Sequence, residues 1–148
     1  MSIKDDVALL KAIPLFSKVD ASQLNVLAFS LERLALDEGE VLFRDGDDGD
    51  GAYVVIEGSL ELARRTAGKE TATTVERGTL VGEQTMFAPV PYRGTAKAQG
   101  RTQVLKISRT LFYKVAEEFP DLAVEAVKSV NEKLNHTLAD LRTAQRNL

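Results

Sequence analysis

The sequence predicts a mainly β domain with flanking helices: a jelly-roll-like β-roll of about eight strands, helices ahead of it and a long helix after it. Three observations predict this class. From about Leu34 to Ile107, short apolar runs alternate with glycine-bearing breaks, the texture of an all-β roll or sandwich. Before that stretch the apolar residues recur at helical spacing, and after Ile107 helical spacing returns. A length of 148 residues fits one domain that buries its own core. No internal repeat divides it. The expected layout is a single unit, 1–148, with N-terminal helices over 1–33, the roll over 34–107 and C-terminal helices over 108–148.

The elements follow in order. The first helix places Ile3, Val7 and Leu10 on one face. Pro14 stops it, because proline disfavours the helical region for its predecessor. A second helix opens at Asp20, an N-cap residue, with Gln23 placed to complete a capping box. Leu24, Leu27, Ala28 and Leu31 then form its apolar face. The apolar runs of the roll are 41–43, 53–56, 60–63, 71–75, 79–81, 95–98 and 104–107. Gly39, Gly46, Gly58, Gly78 and others stand in the breaks, where turns need positive φ. Ser108 is placed to cap a helix that buries Leu111, Phe112, Val115 and Phe119. Pro120 suits the first turn of a long final helix.

Composition excludes several function classes. Hydrophobic residues at 44% and charged residues at 28% give an ordinary globular balance rather than a disordered chain. With no cysteine there is no disulfide and no thiolate metal site. The start, MSIKDDVALLKAI, carries two aspartates and no long apolar run, so it does not read as a signal peptide. No stretch approaches the ~20 apolar residues of a membrane span, and the cytoplasm is the expected compartment. Net charge is −3, and the four bases after Pro120 (Lys128, Lys133, Arg142, Arg146) are matched by four acids. A nucleic-acid arm or a membrane-surface helix would be basic, so neither partner is expected.

The informative segment is 82–96, GEQTMFAPVPYRGTA, where the roll crosses over between two β-runs. Gly82 lets a ligand approach the backbone. A helical turn starting there points N–H groups outward, which favours an anion. Arg93 lies at the other end, followed by the small residues Gly94, Thr95 and Ala96. A guanidinium among small residues suits a bidentate phosphate contact. Glu83 repels such an anion but suits a ribose hydroxyl beside it. Together they fit a ribose phosphate.

This segment resembles the phosphate-binding cassette of cyclic nucleotide-binding domains, in particular those of the catabolite-activator type. The resemblance extends to GEVLFRDGDDGDGAYVVIEGSLEL (39–62), VERGTLVGE (75–83) and LKISRTLFYKVAEEFPDL (105–122). It implies a non-catalytic sensor module without a DNA-binding domain, with no cofactor beyond its ligand. That ligand is a cyclic nucleotide, cyclic AMP ahead of cyclic GMP. It also implies ligand-binding roles for Gly82, Glu83 (ribose 2′-hydroxyl), Gln84, Arg93 (cyclic phosphate), Gly94, Thr95 and, through alignment of the last helix, Thr137 (base). The chain departs from the cassette pattern at Gln84, Thr85 and Gly94, which keeps a ligand-free docking or dimerisation domain as the alternative. The sensor part of a transcription regulator is the other.

Other features read as structure. The loop DGDDGD (45–50) lacks calcium-loop ligands, with Gly49 and Ile56 at two of the required positions. His136 is the only histidine, too few for a cupin-type metal site. No nucleophile–base set is readable, so an enzyme is not expected. Val127, Leu134, Leu141 and Leu148, with Val130, Thr137 and Ala144 three positions on, form a short heptad pattern. It predicts a homodimer seam along the last helix, while the downstream effector stays unnamed.

Overall fold

The computed structural model describes residues 3–121 together with Val124 and Lys128. Helix α1 (Ile3–Lys11) and helix α2 (Ala21–Phe29) open the chain, joined through a 3-10 turn at Pro14–Phe16. α1 has Asp5 and Asp6 in its first turn and Lys11 in its last, the arrangement its macrodipole favours. Proline heads the 3-10 turn, where its missing N–H is not needed, and Leu15 and Phe16 are buried behind it.

α2 buries Leu24, Leu27 and Ala28, three of the four residues expected on its apolar face. Its expected capping box does not form. Asp20 occupies the N-cap position, but its side chain makes no capping bond. The Gln23 side-chain oxygen is buried without a partner instead of reaching back.

Eight strands follow: β1 (Glu32–Leu36), β2 (Val41–Phe43), β3 (Gly51–Glu57), β4 (Leu60–Thr66), β5 (Lys69–Val75), β6 (Leu80–Val81), β7 (Thr95–Ala98) and β8 (Thr102–Ser108). They form two four-stranded sheets, ordered β1-β8-β3-β6 and β2-β7-β4-β5, and every described pairing is antiparallel. The roll therefore runs from Glu32 to Ser108, slightly beyond the expected 34–107. β4 and β5 exceed their apolar runs because Arg64, Arg65 and Thr66 pair with Thr71, Glu70 and Lys69. Ala67 and Gly68, both at positive φ, make the two-residue turn whose twist suits a hairpin.

Two cores share the first sheet. Tyr53, Val55 and Val104 face the roll interior with Leu36, Phe43, Leu60, Leu62, Val75 and Val81. Ala52, Val54, Ile56, Leu105 and Ile107 face the helices, packing with Leu10, Phe16, Leu24 and Phe112. β3 is therefore buried at every position from Gly51 to Ile56, which explains why it reads as an unbroken apolar run and not as alternation.

Helix α4 (Arg109–Glu118) leaves the roll with the Ser108 hydroxyl accepting from the Leu111 N–H at 3.1 Å, the cap expected of it. Pro120 and Asp121 are helical. Thr137, His136 and the heptad positions lie outside the described residues.

One ion pair ties the helices to the roll. Asp6 on α1 is almost fully buried, and its carboxylate meets the Arg33 guanidinium of β1 at 2.9 Å. Arg33→Ala strands that carboxylate, whose other oxygen already lacks a partner. The expected loss is about 1–3 kcal/mol, read as a lower thermal midpoint. An unchanged midpoint would mean that the pair contributes nothing.

Candidate functional site

A cavity of about 540 Å³ opens at the mouth of the roll, between the two sheets. Phe43, Leu62, Val75, Leu80 and Val81 supply apolar wall, and Gly82, Glu83, Gln84, Thr85, Tyr92 and Arg93 bring the crossover segment into it. Arg64 and Thr79 also line it. Four of the residues expected at the site, Gly82, Glu83, Gln84 and Arg93, thus converge on one cavity. Gly94 and Thr95 are not in its lining. Gly94 is buried against β4, and the Thr95 hydroxyl accepts from the Asp45 N–H at 3.0 Å. Thr137 lies outside the described residues.

The crossover is built around one short helix. β6 ends at Val81, and Gly82, at φ +73, is the N-cap of α3 (Glu83–Phe87). That left-handed conformation suits glycine, and any Cβ there would come within 2.9 Å of the Tyr92 ring. The acidic Glu83 sits in the first turn of α3 and is half-buried, while Arg93 is exposed at the far end of the segment.

Both ends of the segment hang from the same strand. The Tyr92 hydroxyl donates to the Gly51 carbonyl at 2.8 Å. The Thr85 hydroxyl lies 2.6 Å from that same oxygen and 2.8 Å from the Gly82 carbonyl, its single proton serving both. In return it accepts from the Gly51 N–H at 3.2 Å. The Tyr92 ring stacks on Phe43 with centroids 4.0 Å apart. Burial pushes the nearby Tyr53 phenol well above its ordinary pKa, and Tyr92 beside it adds to the shift.

The loop 45–50 is a splint for this segment. Gly46 N–H donates to the Tyr92 carbonyl at 2.9 Å, Tyr92 N–H to the Asp47 carbonyl at 3.0 Å, and Gly49 N–H to the Val90 carbonyl at 3.3 Å. Gly49 has to be glycine, because a Cβ would lie 2.1 Å from the Thr85 methyl. The aspartates of this loop are exposed. Among the described residues no group of acids or histidine is placed to hold a metal ion.

Arg109, the first residue of α4, closes the far side. One of its guanidinium nitrogens donates to the carbonyls of Gly49, Thr85 and Ala88 at 3.0–3.1 Å. The Tyr113 hydroxyl reaches the Phe87 carbonyl. Sequence reasoning missed Thr85, Tyr92 and Arg109 as builders of the site. Each acts through a backbone carbonyl, and for Thr85 that carbonyl is 34 positions away, so no local spacing announces it.

Comparison with known proteins places this geometry. The model of the cyclic nucleotide-binding domain family matches residues 33–119. A lysophospholipase of Chaetomium globosum is 29% identical over 117 residues, 78% of this chain but 8% of that protein. A cAMP-dependent protein kinase regulatory subunit of Blastocladiella emersonii is 25% identical over 117 residues, 78% of this chain and 29% of that protein. The N-terminal domain of a transcriptional regulator from Streptomyces coelicolor superposes with a TM-score of 0.78 at 30% identity, covering 90% of this chain and 94% of that one. The chain thus spans only a small part of the curated relatives it matches.

The hydroxyl bonds to Gly51 set a stability prediction. Thr85→Val keeps the shape but removes the donor and leaves the Gly51 N–H unpaired, at an expected cost of about 1–3 kcal/mol. Thr85→Ser should recover most of it. Tyr92→Phe keeps the stack and loses one neutral bond, about 1 kcal/mol. Denaturant melts of the three variants check this, and a Thr85→Val protein as stable as the parent would remove Thr85 from the scaffold.

Proposed function

The chain belongs to the cyclic nucleotide-binding domain family, and on that premise we propose that it binds cyclic AMP in the cavity at the mouth of the roll and acts as a non-catalytic sensor. One observation carries the reading: Glu83 and Arg93, opposite charges from the two ends of the crossover, line a single cavity beside an apolar wall of Phe43, Leu62, Val75, Leu80 and Val81. A cyclic nucleotide has the matching parts. Its phosphate takes a bidentate guanidinium, its ribose 2′-hydroxyl donates to a carboxylate, and its base suits the apolar wall formed by Leu62, Val75 and Leu80.

The preference for cyclic AMP over cyclic GMP rests on the kinase regulatory subunit, a relative whose name carries that nucleotide. The lipid chemistry of the fungal relatives does not transfer, because the matched region is 8% of that protein. The helix expected over 120–148 is the output element in this reading, with Val127, Leu134 and Leu141 on a homodimer seam.

Of the departures from the family pattern, Thr85 is occupied in holding the scaffold, and Gly94 leaves the space that β4 and the Arg64 stem take up. They leave the two charged anchors in place. This supports a working site over a ligand-free docking domain.

Calorimetric titration with cyclic AMP and cyclic GMP tests the reading, and absence of heat from both would leave the docking-domain alternative. Arg93→Ala removes a charge-assisted bidentate contact worth about 1.5–3 kcal/mol, roughly ten- to 150-fold in affinity. Arg93 is exposed, so the melting temperature should hold. Unchanged affinity would sink the phosphate assignment. The parent should also bind 2′-deoxy cyclic AMP more weakly than cyclic AMP, and Glu83→Ala should narrow that gap. Equal affinity of the parent for both sugars would rule out the ribose role of Glu83.

A further inference from the structure

The cavity holds a second guanidinium that the family pattern does not assign. Arg64 lines it together with Arg93, and Glu83 is the one carboxylate among its described lining residues. We propose that Arg64 is a second phosphate-directed residue, which grips the anion of the bound nucleotide from the β4 side while Arg93 grips it from the crossover. This rests on the cyclic-nucleotide reading and adds a residue to it.

Strand periodicity puts Arg64 there. Leu60 and Leu62 on β4 point into the roll core, and side chains two apart share a face, so Arg64 is the next inward position. It comes where the roll opens, which is why Leu60 and Leu62 are buried and Arg64 is exposed. An arginine that continues an inward apolar row has its stem over the wall and its head at the cavity mouth, as long cationic side chains do.

Register brings Arg64 to the end of the segment that carries Arg93. Leu62 pairs with Ala96 and Ala63 with Thr95, so continuing the antiparallel ladder sets Arg64 opposite Gly94, the neighbour of Arg93. The contact is close: a Cβ on Gly94 would lie 3.0 Å from the Arg64 Cγ and 2.8 Å from the Ala63 carbonyl. Glycine at 94 therefore makes the room that the Arg64 stem occupies. Gly94 brings no side chain of its own there, and Arg64 reaches the same place from the facing strand.

Charge makes the pair a site and not a coincidence. Arg64 and Arg93 line one cavity and like charges repel, so without ligand their charges work against each other. An anion between them turns that repulsion into two charge-assisted contacts. A residue arranged in this way has opposite effects on the free and bound states, whereas a purely structural residue does not.

The test compares the parent, Arg64→Gln and Arg64→Lys by calorimetry with cyclic AMP and with cyclic GMP at low and high salt, alongside melts without nucleotide. Loss of one exposed charge-assisted contact is expected to weaken Arg64→Gln for both nucleotides by a similar factor, roughly fivefold to thirtyfold. Its salt dependence should shrink, and Arg64→Lys should fall between. The nucleotide-free Arg64→Gln protein should melt at or slightly above the parent. Affinity within twofold of the parent would overturn the proposal. So would a loss confined to one nucleotide, which would mean that Arg64 reads the base edge, or a fall in the nucleotide-free melting temperature that tracks the affinity loss. A parent that binds neither nucleotide would overturn the functional reading along with this one, whereas a binding parent with an indifferent Arg64→Gln overturns this one alone.

Discussion

A single backbone oxygen, the carbonyl of Gly51, takes hydroxyls from both halves of the crossover. Thr85 reaches it two residues after Glu83, and Tyr92 reaches it one residue before Arg93. The backbone separation of Glu83 and Arg93 is thereby referred to one point at the start of β3. That point is itself fixed, because Gly51 pairs with Ser108, and its missing Cβ lets it lie against the Ile107 carbonyl and the Ser108 backbone. Hydrogen bonds of this kind contribute only about 1 kcal/mol each to stability. Their larger effect is to fix the backbone positions from which Glu83 and Arg93 project into the cavity lining.

The same point connects the site to the helix that follows the roll. Arg109 N–H donates to the Asp50 carbonyl at 2.7 Å, and its guanidinium spans the carbonyls of Gly49, Thr85 and Ala88. A cation over the carbonyls at the end of α3 is a favourable arrangement. Its backbone belongs to α4 and its head belongs to the crossover. Two of those carbonyls, of Thr85 and Ala88, belong to α3 and its C-cap, so any shift of α3 pulls on the first residue of α4 through both bonds at once. This gives the sensor reading a physical link between cavity and exit helix, and it needs no long chain of intermediates.

Much of the roll was legible because its strands are short apolar runs separated by glycines, and the runs at 41–43, 60–63, 71–75 and 95–98 all fall within observed strands. β1 was not separated out, since most of its residues are exposed or half-buried and only Leu36 is fully buried. The capping box failed because an N-cap residue and a glutamine three positions on are permissive, not sufficient: Asp20 makes no side-chain cap, and the Gln23 Oε1 is buried without a partner. Glu83 and Arg93 were readable from charge and spacing within one segment. Thr85, Tyr92 and Arg109 were not, because their partners are backbone atoms brought close only by the closed roll. Gly94 read only as a departure from the cassette pattern, and the structure shows what lies against it: the stem of Arg64 on the facing strand.

The double burial of β3 also bears on how the chain avoids self-association while it is being made. The stretch 52–56, AYVVI, is uncharged and rich in β-branched and aromatic residues, the composition of a segment that pairs with copies of itself. Its ladder partners are β6 and β8, and the β8 register runs from Gly51–Ser108 to Glu57–Gln103. During synthesis that segment emerges well before the strand that covers it. Asp50 and Glu57 bracket it, and both are exposed in the finished roll. Carboxylates at the two ends of an unavoidable apolar strand act as gatekeepers against edge-to-edge stacking. In the finished roll Asp50 also meets Lys106 of β8 at 3.1 Å, so its charge is engaged across the strand pair it brackets.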